Sequence, residues 1–213
     1  MRNNLLKSVL IILMPITLFS CAGSYEEIPK DVLNYQAKVS TTDNIKVEYQ
    51  PNVLKGKYSL NEIKTGVSLI TVKITNNTGQ DIRFKNDIKI YSEDREISII
   101  PLNSFYDITR QDADKSLWFL ALTPLNAYSF SQTTEGSTVT SQSSGFYPIG
   151  LILGPALAFG NQAAANGANK KFKKQLEENN ILEQTIKNGD SNTGFIGLRT
   201  TNIQNLTFKL VKQ

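Results

Sequence analysis

The run Val67-Ser68-Leu69-Ile70-Thr71-Val72-Lys73-Ile74-Thr75 constrains this chain more than any other, because Ile70, Val72 and Ile74 alternate with Thr71, Lys73 and Thr75. Side chains of an extended backbone alternate between faces, so period two predicts a strand half-buried against a core. Asn76-Asn77-Thr78-Gly79 supplies turn residues, and Asp81-Ile82-Arg83-Phe84 then returns Ile82 and Phe84 to the same core. The alternation resumes in residues 87–91 and 96–100, on either side of the polar break Ser92-Glu93-Asp94-Arg95, and Pro101 ends the series. Residues 45–49, 194–200 and 206–211 read as further strands, with a turn at 202–205. Residues 53–66 read as another strand or an edge segment, with Tyr58 and Leu60 towards the core. About seven or eight short strands are the complement of a small two-sheet sandwich.

Two stretches carry a resemblance. Ile74-Thr75-Asn76-Asn77-Thr78-Gly79 leading into Ile82 and Phe84 is similar to the immunoglobulin-like domains of bacterial exported lipoproteins, as is the later Ile186-Lys187-Asn188-Gly189-Asp190-Ser191-Asn192-Thr193-Gly194-Phe195-Ile196. The resemblance covers 67–100 and 183–211. It implies a mainly β, immunoglobulin-like two-sheet sandwich of the kind that binds, spaces or scaffolds, and it transfers no functional residue. One Cys and one Trp leave no Cys-Trp-Cys spacing of an antibody domain.

An insertion at about 103–182 separates the two stretches and is expected to hold a Ser/Thr-rich loop, an apolar Gly/Pro segment and one helix. Ten of the seventeen residues from Ser129 to Gly145 are Ser or Thr, which reads as a flexible loop or an exposed hairpin. The segment 146–160 is oily but broken by Gly150, Gly154, Pro155 and Gly160. It reads either as a loop packed on the sandwich or as a membrane- or partner-contacting element using Phe146, Tyr147, Leu151, Ile152 and Leu153. Gly150 and Gly154 lie four apart, a spacing that lets a helix backbone approach a neighbour closely. The stretch is too short to span a bilayer. Pro155 is expected in the first turn of a helix running through Ala164, Ala168, Phe172 and Leu176. Leu117 to Leu122 reads as a buried strand or helix, or as part of an aromatic patch of Phe105, Tyr106, Trp118 and Phe119.

At the N-terminus, Arg2 and Lys7 precede the apolar run Val9 to Phe19, which has the length of a signal peptide. It ends in Leu18-Phe19-Ser20-Cys21-Ala22-Gly23-Ser24, which resembles the cleavage box of bacterial lipoproteins. The resemblance implies removal of residues 1–20, acylation of Cys21 and permanent lipid anchoring, since each buried methylene contributes about 0.8 kcal/mol. Residues 21–30 would then be the acylated Cys and a short tether, and 31–213 a single β-sandwich domain. Ala22 in place of aspartate implies the outer membrane, with the domain facing the periplasm or the cell surface.

The charge is +4, with 23 basic and 19 acidic residues. Loss of Arg2 and Lys7 with the leader reduces it, and the basic cluster Lys170, Lys171, Lys173 and Lys174 reads as a solvated helix face or as a partner or headgroup contact. No nucleic acid is expected as a partner. With no His and one Cys, the chain lacks the residues of a Ser-His-Asp triad, a Cys-His pair or a His-bearing zinc site. Asp107, Asp112 and Asp114 near Asn103 lack the spacing of a calcium loop. No catalytic residue, cofactor or metal is therefore assigned. The expectation is a noncatalytic anchored lipoprotein that binds or scaffolds another envelope or surface protein. The alternatives are an accessory in membrane or lipid transport that uses 146–160, and a carboxylate-based hydrolase.

Overall fold

The computed structural model describes residues 22–29, 33, 37–125, 127–135 and 138–211, and the side chains of 126–147 lie outside that description. The chain divides into two compact units. Of these residues, the first holds Ala22, Gly23 and those lying between 112 and 166, and the second those lying between 24 and 111 and between 167 and 211.

The second unit is built mainly of antiparallel strands: β1 (Lys38–Thr42), β2 (Ile45–Gln50), β3 (Ser68–Asn76), β4 (Ile82–Arg83), β5 (Ile88–Ser92), β6 (Arg95–Ile97), β7 (Ile99–Ile100), β10 (Thr185–Ile186), β11 (Ser191–Leu198) and β12 (Leu206–Leu210). Five of them form a sheet in the order β1-β2-β3-β11-β7, three form a sheet β12-β5-β6, and β10 pairs with β4. The inward residues of the two larger sheets meet in one core: Val47, Ile70, Val72, Ile74 and Ile196 from the first, and Ile88, Ile90 and Phe208 from the second. This is the face that the alternation in 67–75 pointed to.

The opposite face of the five-stranded sheet is buried as well. Leu69 and Phe195 lie in a second core with residues of three helices: Tyr58 of α1 (Gly56–Thr65), Leu102 and Phe105 of α3 (Leu102–Thr109), and Ala168, Phe172 and Leu176 of the later turns of α4 (Ile149–Glu178). The N-terminal half of β3 is thus covered on both sides, where a half-buried strand was expected. A helical turn, α2 (Phe84–Asp87), follows β4 and buries Phe84. The expectation of one helix is corrected by α1 and α3.

Residues 53–66 are not a strand. Tyr58 and Glu62 are buried four residues apart on one side of α1, whereas Leu60 is 53% exposed, the result of a 3.6-residue period where period two was read. Gly66 at φ 70° closes the helix in the left-handed region and returns its N–H to the Glu62 carbonyl.

The turn after β3 is held by a fully buried side chain. Asn76 Nδ2 donates to the carbonyls of Gln80 (2.7 Å) and Ile186 (2.9 Å), and its Oδ1 accepts from the Thr78 N–H (3.0 Å) and hydroxyl (2.7 Å). The Gly79 N–H reaches Asn188 Oδ1 at 2.8 Å. The two stretches that carried the resemblance are therefore laced together through their turns.

In the first unit, a 3₁₀ helix (Asp114–Leu122) is followed by the hairpin β8 (Ala127–Glu135) and β9 (Thr138–Tyr147), paired from Ala127↔Tyr147 to Glu135↔Thr138. The Ser/Thr-rich stretch expected to be a loop or hairpin is this strand pair. The first turns of α4 complete the unit.

Candidate functional site

The first unit is organised around the glycine side of α4. A methyl group added at Gly150 would lie 2.1 Å from the Leu122 carbonyl oxygen and 2.4 Å from that of Leu125, and one at Gly154 would lie 2.9 Å from Thr123 Oγ1. The four-residue glycine spacing thus receives the chain's own 3₁₀ helix and the turn after it. The Gly150 N–H donates to the Leu125 carbonyl at 2.7 Å, and Ser116 Oγ donates to that of Ala158 at 2.9 Å. Phe119 is buried here. Trp118 stacks on Phe119 and is 46% exposed, so burial of the Leu117 to Leu122 segment is corrected: it is a 3₁₀ helix with apolar residues on both sides.

These contacts explain why α4 starts at Ile149, ahead of the expected start beside Pro155. Pro155 lies inside the helix and removes the N–H that would bond the Leu151 carbonyl. Ala165 is buried and Ala164 exposed, which shifts the expected face by one residue; Ala168, Phe172 and Leu176 lie where they were placed.

The other side of the same turns is apolar and open. Ile149, Leu151, Ile152, Leu153 and Phe159 are exposed, Ile152 by 66% and Phe159 by 55%, and Ala156 lies exposed among them. No charged residue occurs from Ile149 to Asn169. Sequence reasoning named Leu151, Ile152 and Leu153 but missed Ile149, Ala156 and Phe159. Their signal was the helical period: a charge-free helix with residues of this kind on every side has two apolar faces, of which its glycines mark the packed one. Among the described residues, no helix is long and apolar enough to cross a membrane. Phe146 and Tyr147 end β9, and their side chains lie outside the described residues, as does Cys21.

Ala22, the residue that follows Cys21, is tied to this unit: its N–H donates to Asn161 Oδ1 at 3.3 Å. The next residues belong to the second unit. Tyr25 and Ile28 lie in its helix-covered core, so the stretch expected to be a tether up to residue 30 contributes core side chains from Tyr25 onwards. Gln175 holds them, accepting from the Ile28 N–H (3.1 Å) and the Tyr25 hydroxyl and donating to the Ile28 carbonyl (2.9 Å). Burial raises the Tyr25 phenol well above its ordinary pKa.

Lys170, Lys171, Lys173 and Lys174 are exposed on the later turns of α4, while Asn169 and Phe172 among them are buried. Lys173 and Lys174 pair with Glu177 (3.8 Å) and Glu178 (3.6 Å) one turn on. Asn169 accepts from the Tyr58 hydroxyl (3.0 Å) and the Gln111 N–H (2.9 Å). Lys171 and Lys174 border a cleft of about 520 Å³ whose other charged residues are Glu27 and Glu178. The buried Thr71 lines it, with a hydroxyl that has no hydrogen-bond partner among the described residues.

The carboxylates are dispersed. Asp112 pairs with Lys115 (3.4 Å) and Asp114 accepts from Gln162 (3.1 Å). Among the described residues, no group of three or more acidic, Cys or His side chains is placed to hold a metal ion. Among the described residues, Glu62 is the one carboxyl raised far: desolvation by burial pushes it up to about 7, against the opposing effect of the Leu69 N–H that it accepts at 2.5 Å. It does not line the cleft. Set against protein-family models, curated proteins and solved structures, the chain matches none.

Proposed function

We propose that the protein is a noncatalytic, lipid-anchored component of the bacterial outer membrane, facing the periplasm or the cell surface, that binds or scaffolds another envelope or surface protein. In this reading its strand-rich body is an immunoglobulin-like sandwich and Cys21 carries the acyl chains. The observation that carries it is the bond from the Ala22 N–H to Asn161. The residue after the acylated Cys is held on folded structure, so the anchor is coupled directly to the first unit. The partner surface is the rim of the cleft beside Lys171 and Lys174, where charged groups of both signs stand exposed. The test is residue-specific photocrosslinking from Lys171 and Lys174 in intact cells. One recurrent crosslinked envelope protein, lost when both lysines become Glu, is expected; monomer alone from both positions would contradict the reading.

A second reading, an accessory in membrane or lipid transport, is favoured by the exposed apolar residues 149–159. Transfer of a fluorescent phospholipid between vesicles by the anchored protein, abolished by polar substitution of Leu151, Ile152 and Leu153, would support it. Unchanged transfer in that variant would contradict it.

A further inference from the structure

From the geometry of the first unit we infer that the exposed side of the first turns of α4 is a second membrane contact: Ile149, Ile152, Leu153, Ala156 and Phe159 lie in the surface of the bilayer that holds the acyl chains. The inference rests on the anchoring of Cys21 proposed above and adds a defined seat for the protein on the lipid.

Three observations select lipid as the occupant. The chain enters the described structure at Ala22, bonded to Asn161 only two residues beyond Phe159. An α-helix with its side chains is about 10–12 Å across and rises about 1.5 Å per residue, so Ala22 lies within about one helix diameter of Phe159, and Ile149 is about 18 Å from Asn161 along the axis. A bilayer reached by the acyl chains is in reach of the helix too. The exposed residues are large and apolar, and the nearest charge beyond Ile149 in the helix sequence is Lys170, so seating these turns at the headgroup boundary desolvates no ionised group of theirs. The buried side of the same turns is already filled by the 3₁₀ helix, so the glycine surface is not offered to a partner helix. A helix too short in its apolar part to span, with one side packed on protein and the other open, lies in the interface plane.

The cysteine count provides the probe. Cys21 is the chain's one cysteine, so once its sulfur is acylated, a thiol introduced at the exposed Ala156 is the only free one. The full chain carrying Ala156→Cys would be extracted from membranes, labelled with a nitroxide and reconstituted into vesicles of phosphatidylethanolamine and phosphatidylglycerol. Collision rates with oxygen and with a water-soluble nickel chelate then give the depth of the label. The expected result is one label per chain, at about 5–10 Å into the boundary between headgroups and acyl chains. Adding Ile152→Asn and Phe159→Asn is expected to return the label to aqueous accessibility with the circular dichroism of the fold unchanged. A label in water in the acylated parent chain would overturn the membrane contact and leave the anchor standing, as expected if a protein covers this side. Equal depth in the substituted chain would also overturn it, because the acyl chains alone would then account for the depth. Two labels per chain would show a free Cys21 and overturn the anchoring itself. A mass that retains residues 1–20 would do the same, with the apolar run Val9 to Phe19 as the covering segment.

Discussion

The two halves of α4 treat their outward sides in opposite ways. From Phe172 to Glu178 the helix is amphipathic in the ordinary sense: Phe172 and Leu176 are buried, and Lys173 and Lys174 pair with glutamates in water. From Ile149 to Phe159 the packed side is made of Gly150, Gly154 and Ala158, while Ile152, Leu153 and Phe159 stand exposed. Large residues face the protein in one half and face away from it in the other. A helix that inverts the usual pattern keeps its hydrophobic side chains for something outside the chain, here the lipid surface proposed above.

The contrast is most easily broken by truncating one aromatic residue in each half. Phe172→Ala should destabilise the second unit by about 3–5 kcal/mol, since the ring is fully buried beside Tyr25 and Tyr58, with centroids at 5.1 and 4.6 Å. Phe159→Ala should stay within about 0.5 kcal/mol in denaturant titration of the detergent-free protein. Comparable losses at both sites would mean that Phe159 is packed within the chain.

Next in size is a pH effect confined to the second unit, where Glu62 sits near 7 when folded against an ordinary 4.5. The folded state therefore holds the proton more tightly than the unfolded chain. Stability attached to the protonated carboxyl is complete below pH 4.5, falls as the pH rises towards 7, and is lost above it. Glu62→Gln can still accept from the Leu69 N–H, so it should gain about 3 kcal/mol over the natural protein at pH 8 and nothing at pH 4. A constant gain at both pH values would place the cause elsewhere.

The glycines provide the third comparison. Gly150→Ala should cost about 1–3 kcal/mol, because no flexible side chain yields to the new methyl group, only backbone carbonyls. Gly167→Ala, where a methyl group meets nothing within 4 Å, should stabilise the helix by about 1 kcal/mol. Helix content and melting temperature of each variant would separate the two cases.

Much of the strand framework was legible because period two is a local signal. β2, β3, β5 and β12 fall within a residue or two of the runs that announced them. The helices α1 and α3 were not legible. Their buried residues include Glu62 in one and Thr109 in the other, polar side chains that hide a helical stripe. The second core was invisible for the same reason: the side of β3 that carries Leu69 and Thr71 looks half-polar until helices cover it. Asn76 announced a turn, but its bond to the Ile186 carbonyl lies 110 residues away, beyond any local pattern. In the candidate surface the oily segment was recognised, whereas the direction in which each residue faces depends on the 3₁₀ helix that occupies Gly150 and Gly154.

The claim on which the rest depends is that Cys21 is the anchored N-terminus of the mature chain. The intact mass of the protein extracted from membranes in mild detergent tests it directly. The account predicts the mass of residues 21–213 increased by the acyl groups on Cys21, while a chain that retains residues 1–20, or one with an unmodified Cys21 thiol, would contradict it.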